Sequence, residues 1–260
     1  MRLISLCPSN SEILFAIGAG EELVAVEKWT DYPPAATRLP TVGTEMDVDI
    51  DAVASYKPDL VLASLSVPGM EKNVAALQDR GLPHLVLDPH SIEEIYGDIL
   101  RVGQAVGRES ESRELVRAMR NEIAALEAIN VDSTTRARLY IEWWPKPAIS
   151  PGRISWTDEM IEIAGGRNIF ADMQRVSGQV DYEEVAARDP EIILLCWCGI
   201  HRSEIDAGTL ASRSGWSRIN AVDNRRIHVV EEGWYGRPGP RIVDGIRQMA
   251  GLIKELSQRT

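Results

Sequence analysis

The 260-residue sequence predicts an α/β protein of two lobes of similar construction joined by one long helix. The first observation behind this is an internal repeat. Asp49-Ile50-Asp51-Ala52-Val53-Ala54-Ser55-Tyr56-Lys57-Pro58-Asp59-Leu60-Val61-Leu62 recurs as Asp181-Tyr182-Glu183-Glu184-Val185-Ala186-Ala187-Arg188-Asp189-Pro190-Glu191-Ile192-Ile193-Leu194, in register and without gaps. Each copy reads as a short helix, a Pro-Asp or Pro-Glu turn and a buried strand. The second is that Gly18-Ala19-Gly20 and Gly165-Gly166 each end a helical pattern upstream of their copy. The third is residues 109–130, which contain no Pro or Gly and place Leu115, Met119, Ile123, Leu126 and Ile129 at helical spacing with charge on the other faces. At about 1.5 Å per residue such a helix runs roughly 30 Å, enough to join two domains. The expected organisation is an N-terminal lobe 1–108, a bridging helix 109–130 and a C-terminal lobe 131–260.

Taken in order, Leu3 to Leu6 is a short apolar strand, and Ser9-Asn10-Ser11-Glu12 has the spacing of a capping box, so a helix is expected from about Asn10 to Gly18. Leu23 to Val26 is a strand, and Lys28 through Pro34 is a proline-bearing loop with two aromatics. Leu85 to Leu87 is another strand, and Ser91-Ile92-Glu93-Glu94 a second capping box. Arg138 to Glu142 opens the second lobe and Ile242 to Leu256 closes it as an amphipathic helix.

The net charge of −11, with no run rich in Lys or Arg, argues against nucleic-acid partners and against attraction to anionic lipid. Cys7, Cys196 and Cys198 are too few and too unevenly placed for a disulfide framework, so reduced thiols are expected. No apolar run is long enough to span a membrane, and the chain is expected to be a monomer without membrane insertion. Met1 to Leu6 reads directly as a strand, with no charged region, apolar core or cleavage site of a signal peptide ahead of it. As written this predicts a cytoplasmic protein; an export signal upstream would make it periplasmic or otherwise extracytoplasmic.

In open α/β sheets, ligands bind beyond the carboxyl ends of the strands. Here those positions are Cys7-Pro8-Ser9-Asn10, Trp29-Thr30-Asp31-Tyr32, Ser64-Leu65-Ser66 and Asp88-Pro89-His90 in the first lobe. In the second they are Trp143-Trp144-Pro145, Trp156, Cys196-Trp197-Cys198 and Gly233-Trp234-Tyr235-Gly236-Arg237. Six of the seven tryptophans fall in these loops. Rigid aromatic area suits a cleft between the lobes that closes on a large, flat, partly apolar ligand. Signals for covalent chemistry are weak, because the sequence holds no dinucleotide fingerprint, phosphate-loop lysine motif, nucleophile elbow or zinc-protease motif. Cys196, Cys198 and His201, with Glu204 beyond, could be read as metal ligands, although a closed zinc site usually has wider, paired spacings. No metal and no catalytic residue is assigned.

The phrases Asp31-Tyr32-Pro33-Pro34, Lys57-Pro58-Asp59-Leu60-Val61, Gly165-Gly166-Arg167-Asn168-Ile169-Phe170 and Trp234 through Ile242 resemble the cobalamin-binding proteins of ABC importers, the BtuF-like group. That group is similar to siderophore- and haem-binding proteins, and the resemblance runs in order over nearly the whole chain. It implies the class III periplasmic-binding-protein fold, two Rossmann-like lobes on a rigid helix with the ligand between them. It also implies binding without turnover: a corrinoid such as cobalamin as ligand, no catalytic cofactor, and the permease subunits of an ABC transporter as partner. Carried over by position, the ligand contacts are Pro8, Ser9, Trp29, Tyr32, Ser64, Leu65, Ser66, Trp143, Trp144, Trp197, Trp234, Tyr235 and Arg237, with Cys196 and Cys198 flanking Trp197. The permease-docking glutamates fall on Glu71 and Glu204. An aromatic expected near Glu45 is absent, and Leu65 stands where a tryptophan is expected. The alternatives are a soluble corrinoid carrier, a siderophore, haem or other chelate binder, and a cytosolic metal-dependent enzyme on the same fold, which would use Cys196, Cys198 and His201.

Overall fold

The computed structural model describes residues 1–130 and 136–258. The chain divides into two compact units, residues 1–119 with 238–240, and residues 120–237 with 241–260. Residues 131–135, where the C-terminal lobe was expected to begin, and residues 259–260 lie outside the described residues.

The first unit is built on a parallel sheet of β1 (Leu3–Ser5), β2 (Leu23–Val26), β3 (Leu60–Ser64) and β4 (His84–Leu87), in the order β2-β1-β3-β4. The second is built on β5 (Ala137–Glu142), β6 (Gly166–Asn168), β7 (Ile192–Leu195) and β8 (Ile227–Val229), also all parallel, in the order β6-β5-β7-β8. The two sheets therefore share one strand order. The first unit adds a small hairpin, Gly43–Thr44 with Asp47–Val48, and the second an antiparallel sheet of Trp144–Pro145, Ala148–Pro151 and Ser177–Gln179.

The sequence repeat supplies the same three elements to both units. Asp49 caps the helix Ile50–Ser55, its carboxylate accepting from the Ala52 N–H at 2.9 Å, and Asp181 stands at the same place before the helix Tyr182–Arg188. Lys57 and Asp189, equivalent in the repeat and each followed by proline, are both left-handed, with φ of 50° and 46°. A helix cannot continue through that conformation, and the proline confirms the stop. Val53 and Val185, and Val61 and Ile193, are also equivalent, and all four are fully buried in the cores of their own units. Burying each such side chain stabilises its unit by about 1.5–3 kcal/mol relative to leaving it exposed.

Two expectations about helices are corrected. The first helix spans Pro8–Ala16 with Cys7 at its cap, so Ser9 lies inside the first turn and forms no capping box. Pro8 decides this: its fixed φ and missing N–H suit the first helical position, where a donor would have no partner. The second box does cap, the Ser91 hydroxyl accepting from the Glu94 N–H at 3.2 Å, but Glu94 reaches back to the His90 N–H rather than to Ser91. The long helix spans Glu109–Asn130, as the sequence pattern predicts. Its buried stripe runs through Ser112, Val116, Met119 and Ile123, whereas Ile129, expected on that stripe, is 76% exposed.

The closing helix spans Ile242–Gln258 and buries Ile242, Ile246, Met249 and Ile253. At Gly245 a Cβ would stand 2.5 Å from the Trp234 carbonyl oxygen, so only glycine lets this helix approach the Trp234 loop. No helix among the described residues is long and apolar enough to cross a membrane.

Candidate functional site

In the first unit, the turn after β1 is committed to its own neighbours. Pro8 and Ser9 are buried, the Ser9 hydroxyl lies 3.3 Å from the Cys7 sulfur, and the Asn10 amide donates to the Ala63 carbonyl at 3.2 Å. Burial pushes the Cys7 thiol up to about 12, with the charge of Glu45 adding to the effect, so it stays protonated. After β3, Ser64 is buried; its hydroxyl donates to Ser66 at 3.0 Å and accepts from the Ser66 N–H at 3.2 Å, which closes the loop on itself. Leu65 and Ser66 are half-buried.

The loop after β2 is different. Glu27, fully buried, accepts from the Trp29 N–H at 2.7 Å and the Thr30 hydroxyl at 2.9 Å, which fixes the start of the loop. Beyond that anchor both rings stand in solvent: Trp29 and Tyr32 are each 43% exposed, and the Lys28 ammonium lies 5.2 Å from the centre of the Trp29 ring. The sequence placed both aromatics here; it did not identify Glu27, whose only mark is an acidic residue at the end of an apolar strand.

In the second unit, β5 ends at Glu142 and is followed by Trp143 and Trp144. Trp144 is 39% exposed, and its indole N–H donates to the Lys146 carbonyl at 3.0 Å. Trp143 is half-buried and stacks on Trp156, ring centres 5.9 Å apart. Trp156, expected in a ligand loop, is instead a buried first residue of the helix Trp156–Ile163. Trp197, in the turn after β7, is half-buried and donates its indole N–H to Glu142 at 3.0 Å. Trp234 is half-buried on the short helix Glu232–Tyr235.

Two expected contacts lie inside the protein. Tyr235 is 0% exposed, and its hydroxyl donates to Gln248 at 2.6 Å, so it belongs to the packing between its loop and the closing helix. Arg237 is 7% exposed and ion-paired with Glu232 at 2.5 Å, which neutralises the guanidinium inside the protein. Pro8, Ser9 and Ser64 are likewise withdrawn from solvent. What remains accessible is Trp29, Tyr32, Leu65 and Ser66 in the first unit and Trp143, Trp144, Trp197 and Trp234 in the second. Aromatic faces predominate.

The second unit also holds a charged network that the sequence reading missed. Glu142 is fully buried; Arg213 donates to both of its oxygens at 2.6 and 2.9 Å, and the Tyr140 hydroxyl donates at 2.9 Å. The Arg213 guanidinium lies over the rings of Tyr182 and Trp216, 4.0 and 4.5 Å from their centres. Arg213 is 71 residues from Glu142, so no local pattern connects them.

Cys196 is buried, and burial pushes its thiol well above the ordinary range, the opposite of a thiolate ligand's need. His201 turns its Nδ1 to the Ser203 hydroxyl at 2.7 Å. Among the described residues no three His, Cys, Asp or Glu side chains are grouped as they would be around a metal ion. Glu71 and Glu204 are both exposed and both follow the third strand of their unit. Glu71 opens the helix Glu71–Asp79 and accepts from the Gly69 N–H at 2.7 Å, whereas Glu204 sits in a single turn, Arg202–Glu204.

Known proteins share this fold over nearly the whole chain. The chain is 31% identical over 257 residues to the uncharacterized ABC transporter substrate-binding lipoprotein YvrC of Bacillus subtilis, covering 97% of this chain and 79% of that one. It superposes on the periplasmic vitamin B12 binding protein BtuF of Vibrio cholerae with a TM-score of 0.81 and 26% identity, over 100% of this chain and 98% of that one. The periplasmic heme-binding protein RhuT of Roseiflexus gives a TM-score of 0.85 and 26% identity, over 98% of both chains. Residues 3–232 match the periplasmic binding protein family, and the chain belongs to that family, a transport-related class of binding proteins.

Proposed function

We propose that this protein binds a corrinoid, with cobalamin the first choice, and delivers it without turnover to the permease of an ABC importer. The observation that carries the reading is the display of large aromatic rings after the strands: Trp29 and Tyr32 at 43% exposure and Trp144 at 39%. Holding such rings in water is unfavourable unless they meet a partly apolar ligand face, and their rigidity makes the contact cheap in entropy. The likeness to a vitamin B12 binding protein supports the same choice. Trp29, Tyr32, Leu65 and Ser66 of the first unit, and Trp143, Trp144, Trp197 and Trp234 of the second, are the proposed contacts. Arg237 and Tyr235 support the Trp234 loop from beneath. Delivery places the protein on the outer side of the membrane, with Glu71 and Glu204 meeting basic residues of the permease.

Haem is the second reading, favoured by one observation besides the likeness to a heme-binding protein: Tyr32, 43% exposed in the loop after β2, is of the residue type that takes an axial position on haem iron. A siderophore fits less well, because Arg237 is already paired inside the protein. Equilibrium dialysis against cyanocobalamin and haemin in parallel separates the readings. Retention of cyanocobalamin at one equivalent is the expected result; retention of haemin alone, lost in Tyr32→Phe, replaces corrinoid with haem.

A further inference from the structure

Glu142 has no place in the contacts proposed for the ligand, yet it is heavily hydrogen-bonded at the end of β5. It is fully buried and accepts four hydrogen bonds, two from Arg213, one from Tyr140 and one from the Trp197 indole N–H at 3.0 Å. A carboxylate in that position is tolerated only when it is paired and its oxygens are satisfied. Arg213 meets the first condition, held flat against the Tyr182 and Trp216 rings. The other donors meet the second. Only one of those four bonds reaches an accessible ring. Trp197 is half-buried in the turn after β7, and the backbone brings that turn to Glu142: the Cys196 N–H donates to the Glu142 carbonyl and the Cys198 N–H to the Trp143 carbonyl, both at 3.0 Å. The ring also packs against the core around Tyr140 and Trp216, and the bond to Glu142 adds the directional constraint that apolar packing alone lacks.

We propose that Glu142, charge-compensated by Arg213, is a positioning residue: it fixes the Trp197 indole in one orientation, so that the turn after β7 presents a preset aromatic face to the ligand. Preorganisation of this kind raises affinity by removing the cost of ordering the ring on binding. In the first unit buried Glu27 acts on the backbone instead, accepting from the Trp29 N–H at 2.7 Å and fixing where that loop starts. The inference rests on the binding function proposed above.

The test compares wild-type protein, Glu142→Gln, and the double variant Glu142→Leu with Arg213→Leu. Removing both charges together avoids leaving a buried guanidinium unpaired and keeps the fold testable where the single variant fails. Two readouts are followed on protein shown to be folded by its melting transition: the NMR signal of the Trp197 indole N–H, assigned by Trp197→Phe, and the dissociation constant for cyanocobalamin. In the double variant the indole signal is expected to move upfield and broaden, and affinity to fall about tenfold, the range of one lost orienting contact. Glu142→Gln keeps a carbonyl acceptor and is expected to retain affinity within about threefold. A double variant that is folded and binds as wild type does overturns the inference alone. So does one whose indole signal is unmoved. Wild-type protein that binds neither cyanocobalamin nor haemin overturns the binding function and the inference together.

Discussion

Arg2 and Arg138 hold the same place in the two units. Each stands at the head of its unit's first strand, and its backbone N–H donates to the acidic residue that follows the repeat's proline, Asp59 at 2.7 Å and Glu191 at 2.9 Å. The carbonyl of each accepts the return bond, from the Asp59 N–H at 2.9 Å and the Glu191 N–H at 2.8 Å. The Nε of each then donates 2.8 Å to the carbonyl of the turn that ends the repeat's helix, Tyr56 or Asp189. The repeat is thus a clasp between first and third strands, built twice. Arg138 does more than Arg2, because it also pairs with the carboxylates of Asp189 at 3.1 Å and Glu191 at 3.5 Å. Arg138→Ala is expected to lower stability by about 1–2 kcal/mol and Arg2→Ala by less than about 1, with urea denaturation as the measure. Equal effects would show that the added ion pairs contribute nothing.

The equivalent left-handed residues should respond in opposite ways to glycine. Lys57 is exposed and held at φ 50°, a conformation that costs a side-chain-bearing residue about 1–2 kcal/mol, partly offset by the greater unfolded-state freedom of glycine. Lys57→Gly is expected to leave stability unchanged or raise it by up to about 1 kcal/mol. Asp189 has the same strain, but its carboxylate accepts from the Asn220 N–H at 2.7 Å and from Arg138. Asp189→Gly is expected to destabilise by about 1–2 kcal/mol, since both bonds are lost. Chemical denaturation of the two variants checks the sign of each.

The aromatics divide into those that face solvent and those that hold the loops. Trp29→Ala and Trp144→Ala are expected to weaken cyanocobalamin binding about tenfold each while shifting stability by less than about 0.5 kcal/mol. Tyr235→Ala should behave inversely, with a loss of about 3–5 kcal/mol from a fully buried ring. Tyr235→Phe, which removes only the bond to Gln248, is expected to cost about 1 kcal/mol. Calorimetric titration and thermal melting of the same preparations give both quantities.

Acid should act on His228. Burial lowers its pKa below the ordinary 6.5, more than the charge of Glu255 restores it. The unfolded chain therefore takes up a proton near pH 6.5 that the folded protein refuses until lower pH. By linkage, the stability contributed by the neutral ring is present above pH 6.5 and is lost as pH falls through the folded value. His228→Gln is expected to flatten the decline in melting temperature just below pH 6.5 relative to wild type. Parallel curves in that window would assign the acid sensitivity elsewhere.

Much of the architecture was legible because it is written in local patterns. The repeat, its prolines and its apolar strands predicted two lobes of similar construction, though not the strand Gly166–Asn168, and a run free of Pro and Gly predicted the helix Glu109–Asn130. The capping box at Ser9 misled because Pro8, one residue earlier, is a stronger start signal than a hydroxyl inside the turn. The segments after the strands were recognised, but Pro8, Ser9, Trp156, Trp234 and Tyr235 lie in helices rather than loops, and their residues were not sorted into accessible and buried. Trp156, Tyr235 and Arg237 have the composition of contacts but are withdrawn by stacking on Trp143, by the bond to Gln248 and by the ion pair with Glu232, none of which composition shows. Glu142 and Arg213 were invisible for the same reason: the pair exists only once β5 and the region after β7 are folded together.

The most direct measurement is calorimetric titration of the wild-type protein with cyanocobalamin and hydroxocobalamin, with the visible spectrum followed in parallel. One-to-one binding at micromolar affinity or tighter, about −8 kcal/mol or better, is the expected result. No heat and no spectral change with either corrinoid would contradict the account.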